Sequence, residues 1–142
     1  MIKNERQLKI TGNTLRKFES ILVQLTTQYQ SSADLKLKMQ IDALETDVLK
    51  LKREIEEFEY LKSGAVKIIL AKSFHDLPNV IIKARIARAL TQKDLALKLG
   101  MKEQQIQRYE TNDFASASFA MMVKIVDALD ITIEEKVRLN KI

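Results

Sequence analysis

Seven apolar residues in the first half of the chain recur at alternating steps of four and three positions. Such a heptad pattern is typical of helices that pack side by side, because it keeps one apolar row on one face. Lys and Glu residues fill the flanking positions. The row consists of Leu37, Ile41, Leu44, Val48, Leu51, Ile55 and Phe58. The pattern therefore predicts a helix over residues 34–62 with an apolar face that needs a helical partner.

A shorter helix is predicted ahead of it, over residues 13–30, with Asn13 as its N-cap. Its apolar residues also recur at steps of three and four, namely Leu15, Phe18, Leu22, Leu25 and Tyr29. At about 1.5 Å per residue the two helices would measure about 27 and about 43 Å, so a hairpin would leave the end of the longer helix uncovered. We expect a second copy of the chain to cover this end, with the seven heptad residues as the dimerisation contacts. The alternative is that another part of the same chain covers it.

Two short stretches favour β-structure. Residues 6–11 alternate loosely between polar and apolar side chains, and residues 65–70 are rich in β-branched side chains. The two stretches could pair as a short two-stranded β-ribbon at the base of the hairpin. Because a ribbon of two strands is only marginally stable alone, it would have to pack on the helices.

The composition favours a mainly α fold. The chain has three glycines and one proline in 142 residues, and 46% of its residues are apolar, which suits helices around a core. No apolar run is long enough to cross a membrane, and the first residues lack the apolar region of a signal peptide. The absence of cysteine excludes disulfides and thiolate metal sites. We therefore expect a cytoplasmic protein.

From Leu77 onward the pattern predicts five short helices joined by short loops. Thr91 and Thr132 are candidate N-caps, as is either Ser116 or Ser118. The predicted helices cover residues 78–89, 92–99, 103–111, 117–129 and 132–140. Together with the heptad region this gives two domains, an N-terminal helical dimerisation region over residues 1–72 and a C-terminal five-helix domain over residues 73–142.

The stretch ALTQKDLALKLGMKEQQIQRYE, residues 89–110, sets glutamines and an arginine inside a segment that otherwise forms core. With its flanks, the chain over residues 77–131 resembles the helix-turn-helix domain of the Xre/Cro/lambda-repressor family. In that family's frame Gly100 supplies the turn between the second and third helices, while Ile106 and Tyr109 anchor the third helix. The resemblance implies a lambda-repressor-like DNA-binding domain for the C-terminal part.

Two further features follow from the resemblance. Arg85 and Glu110 stand where family members often form a buried ion pair between the first and third helices. The N-terminal part resembles that of bacterial Xre-type regulators with a helical extension, and some members of the wider family are antitoxins that repress an operon shared with a toxin. The resemblance thus implies a transcriptional regulator, expected to be a repressor that binds a palindromic operator as a homodimer. The alternative is an antitoxin whose N-terminal helices bind a toxin protein.

In a helix-turn-helix unit the third helix enters the major groove with its N-terminal residues at the base edges. Because Ile106 and Tyr109 point inward, the polar residues of a helix that starts near Glu103 occupy its other faces. Gln can pair with adenine, and Arg with guanine, through two hydrogen bonds each, which makes Gln104 and Arg108 the strongest candidates for base readout. The expected base contacts are Glu103, Gln104, Gln107 and Arg108.

Phosphate contacts are expected beside the base contacts. Gln92 matches a family position that bonds a phosphate, and the N-terminus of a helix favours an anion. The full set of expected phosphate contacts is Gln92, Lys93, Lys102, Gln105 and Asn112. Residues 77–112 carry seven Lys or Arg against three Asp or Glu, while residues 1–72 carry thirteen against ten, so the positive charge is denser in the C-terminal part. Without the helix-turn-helix frame these residues would indicate an ordinary solvated helix face.

Catalysis and cofactor binding are not expected. The chain has one histidine, His75, no cysteine and no glycine-rich phosphate loop, so sites built on several histidines or on cysteine cannot form. His75 lies beside Asp76 at a predicted helix start and fits a surface or capping role. The expected partners are double-stranded DNA, a second copy of the chain and, in the alternative, a toxin protein.

Overall fold

A computed structural model describes residues 1–139 of the chain. Within those residues the regular elements are six α-helices and one short 3-10 turn, and no strand is present. The mainly α class is therefore confirmed. The chain divides into two compact units, the first formed by Met1–Ile68 and the second starting at Ile69.

The first unit is an antiparallel helical hairpin. Helix α1 spans Glu5–Ser32 and helix α2 spans Leu35–Lys62, so each has 28 residues. Ala33 reverses the chain between them in the left-handed conformation, with φ at 48°. At the open end of the hairpin the Lys62 ammonium pairs with the Glu5 carboxylate, which joins the last residue of α2 to the first residue of α1.

Helix α1 begins well ahead of its predicted start. Asn4 is its N-cap, with a side-chain oxygen that accepts a backbone N–H of the first turn at 2.9 Å, and the helix continues through Gly12. The prediction of a strand over residues 6–11 is therefore wrong, and so is the N-cap role of Asn13. An interior glycine costs about 1 kcal/mol relative to alanine, and the packing of α1 along α2 outweighs that cost.

Because the two helices have equal length, α1 covers α2 to its end. Phe58 and Leu61, near that end, are each 4% exposed. The first residues of the chain lie there too, since the N-terminal amine is 3.5 Å from the Glu54 carboxylate and Ile2 is 2% exposed. The prediction of an uncovered end on the longer helix is wrong, and the part of the chain that covers this end is the segment that the sequence pattern had placed in a strand.

The seven heptad residues form the inner face of α2. Ile41, Val48 and Phe58 are buried and the other four are half-buried, and α1 is the helix that packs against α2. These side chains therefore build the core of the hairpin within one chain. Their assignment as dimerisation contacts loses its basis, because it depended on an inner face that α1 was too short to cover.

Residues 65–70 follow α2 without regular secondary structure. Their expected partner, the segment 6–11, is helical, so the β-ribbon does not form in the described part of the chain and the strand prediction is wrong here as well. Ile68 and Leu70 in this segment are 79% and 87% exposed.

The second unit carries four helices that follow a 3-10 turn at Phe74–Asp76. They are α3 (Leu77–Ala87), α4 (Gln92–Leu99), α5 (Glu103–Thr111) and α6 (Phe119–Ala128). Four of the five predicted helices are confirmed, with ends that agree to within two residues. The core of the unit contains side chains with no exposed surface, namely Ile81, Ile82, Leu95, Ile106 and Ile125.

The fifth predicted helix, over residues 132–140, is wrong for the part that the structure describes. Residues 132–139 have no regular secondary structure, and residue 140 lies outside the described residues. A segment this short forms a stable helix only when an apolar face is packed. Val137 and Leu139 are 82% and 94% exposed, so the packing that would stabilise a helix is missing.

The N-caps of the second unit show why its helices begin where the sequence indicates. The Thr91 hydroxyl accepts the backbone N–H of Asp94 at 3.0 Å, and the Asp94 carboxylate accepts the Thr91 backbone N–H at 2.8 Å, which completes a capping box. The hydrogen bonds from the side chain and backbone of Thr91 hold the pKa of Asp94 below its ordinary value. Ser118 caps α6 by accepting from Met121 N–H at 3.1 Å.

Of the helices described, none is long and apolar enough to span a bilayer.

Candidate nucleic-acid interface

Helices α4 and α5 are joined by a tight turn at Gly100, whose backbone conformation favours glycine. Gly100 has φ at 65°, in the left-handed region where a side chain is strained. The backbone N–H of Met101 donates to the carbonyl of Ala96 at 2.8 Å, and that of Gly100 donates to the carbonyl of Leu97 at 3.2 Å. These bonds satisfy carbonyls at the end of α4 and fix the direction in which α5 leaves the turn.

One side of α5 is anchored in the core. Ile106 is fully buried, Tyr109 is 8% exposed and Glu110 is 1% exposed. The ring of Tyr109 stacks on that of Phe114, with centroids 6.2 Å apart. These contacts set the rotation of α5 about its axis and thereby decide which side chains face solvent.

The opposite side of α5 is a polar exposed face, which we call the α5 face. It is formed by Glu103, Gln104, Gln107, Arg108 and Thr111, all of which are exposed. The structure therefore brings the four expected base-contacting residues together on one side of one helix. Their side chains can donate and accept hydrogen bonds in a row that begins at the first residue of the helix.

Thr111 is the member of the α5 face that the sequence analysis missed. It follows Gln107 by one helical turn, and this spacing was the signal that could have identified it. Its hydroxyl donates to the backbone carbonyl of Gln107 at 2.7 Å, so the hydroxyl proton is already engaged within the helix.

A buried network beneath the α5 face joins three helices. Arg85 of α3 donates from Nε to Glu110 Oε1 at 2.5 Å and from Nη2 to Glu110 Oε2 at 2.9 Å. Gln92, the first residue of α4, donates from Nε2 to the same Oε2 at 2.7 Å. Arg85 also donates from Nη1 to the carbonyl of Leu90 at 2.8 Å. One carboxylate on α5 thus fixes α3 and α4 relative to the α5 face.

The network satisfies its polar atoms fully. Arg85 is 2% exposed and Glu110 is 1% exposed. In the described residues no buried side-chain nitrogen or oxygen lacks a hydrogen-bond partner. A bidentate pair of this kind is stable in a core because each charge has a partner that cannot move away.

The five expected phosphate contacts fall into two groups. Lys93 and Lys102 are exposed at the N-termini of α4 and α5, and Gln105 is half-buried at the border of the α5 face. Gln92 and Asn112 have internal partners instead. Gln92 is 6% exposed and belongs to the buried network.

Asn112 closes the C-terminal end of α5. In the amide orientation that satisfies both of its ends, its nitrogen donates to the carbonyls of Tyr109 and Arg108 at 3.0 and 3.1 Å. Its oxygen then accepts from the Ser116 hydroxyl at 2.8 Å. The side chain thereby caps the helix that carries the α5 face.

The charges around the α5 face are mainly positive. Lys102 and Arg108 are exposed on or beside it, and a shallow cleft at its N-terminal end is lined by Met101, Lys102, Gln104, Gln105 and Arg108. Because the ion pair of Arg85 with Glu110 is neutral as a whole, the charge excess of this part of the chain resides on the other lysines and arginines, most of which are exposed. In the described residues no group of histidine, cysteine, aspartate or glutamate side chains could hold a metal ion.

A known protein family matches the part of the chain that contains the α5 face. Residues 81–136 match the family model described as helix-turn-helix. The matched segment contains α4, α5, the turn between them and α6 in full. Searches of the curated proteins and of the solved structures found no match.

Proposed function

Since residues 81–136 form a helix-turn-helix domain of the Xre/Cro/lambda-repressor type, we propose that this DNA-binding transcriptional regulator is a repressor that binds a palindromic operator as a homodimer. The observation that carries the proposal is the α5 face, which is polar, exposed and held by a buried network. In such domains the corresponding helix lies in the major groove with its N-terminal residues at the bases.

Base readout is assigned to the centre and N-terminal end of the α5 face. Arg108 suits guanine, whose O6 and N7 accept two hydrogen bonds, and Gln104 suits adenine, whose N6 and N7 offer one donor and one acceptor. Glu103 and Gln107 flank them on the same helix. Each well-formed pair discriminates against a wrong base by about 1–3 kcal/mol.

Phosphate binding is assigned to Lys93 in the first turn of α4 and to Lys102 and Gln105 at the border of the α5 face. The exposed ammonium groups lie at helix N-termini, where backbone N–H groups also favour an anion. Gln92 and Asn112 support these contacts by holding α4 and the end of α5 in place, because their side chains have internal partners. Contacts to phosphates position the protein without reading sequence.

The homodimer is proposed to form through the outer side of α2. Four large apolar residues lie along the side of α2 opposite its inner face, and they are exposed by 49% to 74%. They are Leu35, Met39, Leu49 and Tyr60, and we call them the outer row. Large apolar side chains that are exposed along one side of a helix are candidates for a contact with another chain. Two hairpins that share such a row would form a four-helix arrangement.

A second argument for a dimer comes from the size of the DNA contact. A single small module buries about 600–1,000 Å² on DNA, and tight specific binding by this type of domain generally uses two half-sites about one helical turn apart. The helical hairpin lies outside the DNA-binding domain, so it is the candidate region for linking two such domains in a dimer.

Selection of bound sequences from a random DNA library tests the proposal. With the full chain we expect an inverted repeat whose halves are about 10 base pairs apart from centre to centre. Enrichment of a single half-site, or of no sequence, would contradict operator binding by a dimer. Loss of reporter expression from a promoter that carries the selected site would distinguish repression from activation.

An antitoxin is the second candidate, in which the hairpin binds a toxin protein. The outer row supports it as well, because exposed apolar side chains in a row suit a foreign helix as much as a second copy. Sedimentation of the purified full chain separates the two candidates. A dimer at micromolar concentration supports the first, and a monomer leaves the outer row for another protein.

A further inference from the structure

Glu103 and Gln107 lie one helical turn apart on the α5 face and are bonded to each other. The Gln107 side chain donates from Nε2 to Glu103 Oε1 at 3.0 Å. Both residues are exposed, so the bond lies where a base edge would approach.

The bond determines how the Gln107 amide is oriented. A carboxylate carries only acceptors, so the amide nitrogen must face Glu103 and the amide oxygen must point away from it. The opposite orientation would place the amide oxygen against the carboxylate oxygen with no proton between them. The pair therefore presents to its surroundings two acceptors, the Gln107 Oε1 and the second Glu103 oxygen, and one donor, the remaining N–H of Gln107 Nε2, so its acceptors outnumber its donors.

We propose that Glu103 and Gln107 act as one unit that selects a base with an exocyclic amino group in the major groove, namely adenine or cytosine. The proposal rests on the DNA binding proposed above and adds the chemistry of one operator position. Adenine presents its N6 amino group and cytosine its N4 amino group, whereas guanine presents two acceptors and thymine an acceptor and a methyl group. Glu103 has two roles in this unit, since it fixes the amide of Gln107 and offers its own second oxygen to the base amino group.

Entry into the groove strengthens the pairing. Water competes for the bond in the free protein, but in the groove most of that water is displaced and an unpaired carboxylate becomes costly. Glu103 then has two ways to be satisfied, by keeping the Gln107 amide or by accepting from a base amino group. Both require a donor on the base that faces the unit, and both oppose guanine and thymine.

Parallel library selections with the full chain and three variants test the proposal. Glu103→Gln keeps the length of the side chain but can face Gln107 with either end of its amide, so it releases the orientation of Gln107. Gln107→Ala removes the reading group. Asp127→Asn, on the exposed surface of α6, removes the same charge away from the α5 face and is the matched control.

The unmodified chain is expected to select adenine or cytosine at one position of each half-site, by about 5- to 100-fold over guanine or thymine. Glu103→Gln and Gln107→Ala should each reduce that ratio towards one at the same position, while Asp127→Asn leaves it unchanged. Glu103→Gln and Asp127→Asn each remove one negative charge, so both should raise the affinity for all DNA sequences. Asp127→Asn therefore shows how much of the change in Glu103→Gln comes from charge alone, apart from the change in base preference. Thermal unfolding of the variants should match that of the unmodified chain.

Two results would overturn the inference, and they differ in what they say about function. If a defined operator is selected but no adenine or cytosine position responds to Glu103→Gln, the Glu103–Gln107 unit does not read a base and the proposed repressor function stands. If no sequence is enriched at all, both the inference and the proposed function fail.

Discussion

Arg85 and Glu110 are joined by two parallel hydrogen bonds, of 2.5 and 2.9 Å, beneath the helix that carries the α5 face. Both side chains are at least 97% buried. Glu110 directly follows Tyr109 in α5, so the pair and the aromatic anchor fix the same turn of the helix. The rigidity of the α5 face therefore depends on charges that a ligand never touches.

Removing one partner of this pair should destabilise the second unit strongly. Glu110→Gln leaves the Arg85 guanidinium buried without a counter-charge. Arg85→Met leaves the Glu110 carboxylate buried without a counter-charge. Each change is expected to lower the free energy of unfolding by about 3–5 kcal/mol. Urea denaturation followed by circular dichroism measures it. The double variant should lose less than the sum of the two single losses, because the charges disappear together.

An exposed ion pair in the same unit provides the control. Arg88 lies 3.5 Å from the Asp130 carboxylate, and Asp130 is 97% exposed. Asp130→Asn should leave the unfolding curve within experimental error, because water screens such pairs. Equal effects of Asp130→Asn and Glu110→Gln would contradict the assignment of stability to burial.

The capping box at the start of α4 predicts a pH dependence. Hydrogen bonds from Thr91 lower the pKa of Asp94 in the folded protein. A lowered folded-state pKa contributes stability above the ordinary carboxyl pKa, and this stability is lost as the pH falls through the lowered value. Asp94→Asn should therefore destabilise the protein at pH 7 and differ little from the unmodified chain at about pH 2. Denaturant titrations of both proteins at several pH values measure the difference, and a difference that is constant with pH would contradict the prediction.

Gly12 and Gly100 should respond oppositely to alanine. In the described structure no heavy atom outside the local helix lies within 4 Å of a Cβ added at either position, but only Gly100, at φ 65°, is in the left-handed region. Gly12→Ala should stabilise the hairpin by about 0.5–1 kcal/mol, because alanine restricts the unfolded chain and favours helix. Gly100→Ala should destabilise by about 1–2 kcal/mol through backbone strain. Chemical denaturation of the two variants checks both signs, and destabilisation by Gly12→Ala would indicate a local constraint on α1.

Gly12 also explains the main error of the sequence analysis in the first unit. A glycine next to the loosely alternating segment 6–11 reads as the end of a strand, and local patterns carry no information on what packs against them. The helix exists there because Asn4 caps it and α2 offers a long apolar face. The inner face of α2 was predictable from its heptads, whereas the length of its partner was not.

The second unit was easier to predict because its helix starts are encoded locally. Thr91 with Asp94, Ser118 and Gly100 each determine a boundary through contacts within a few residues of themselves. The buried role of Gln92 could not be predicted from its neighbours in the sequence. Its partner Glu110 is 18 residues away in the sequence, and the choice between a phosphate and a buried carboxylate depends on how α4 and α5 pack.

Arg108 and Lys102 should affect DNA binding in different ways. Arg108→Ala removes a proposed base contact, so it should reduce the preference for the operator over other sequences by about 1–3 kcal/mol at one base position. Lys102→Ala removes a proposed phosphate contact, so it should weaken binding to all sequences alike and reduce the salt dependence of binding. Fluorescence anisotropy with the selected operator and with random DNA, at several salt concentrations, measures both. If Arg108→Ala changes neither affinity, the groove assignment of the α5 face is wrong.

The outer row of α2 should hold the dimer together. Met39 and Leu49 are 67% and 49% exposed in the single chain, so lysine at either position leaves the hairpin core intact but places a charge in the proposed interface. Met39→Lys and Leu49→Lys should therefore shift the chain to a monomer in sedimentation equilibrium without lowering its helix content. Gln40→Lys adds the same charge at a neighbouring exposed position outside the outer row and should leave the dimer intact. A dimer that persists in both outer-row variants would place the interface elsewhere. Because operator affinity depends on two linked DNA-binding domains, variants that remain dimeric should also bind the operator tightly.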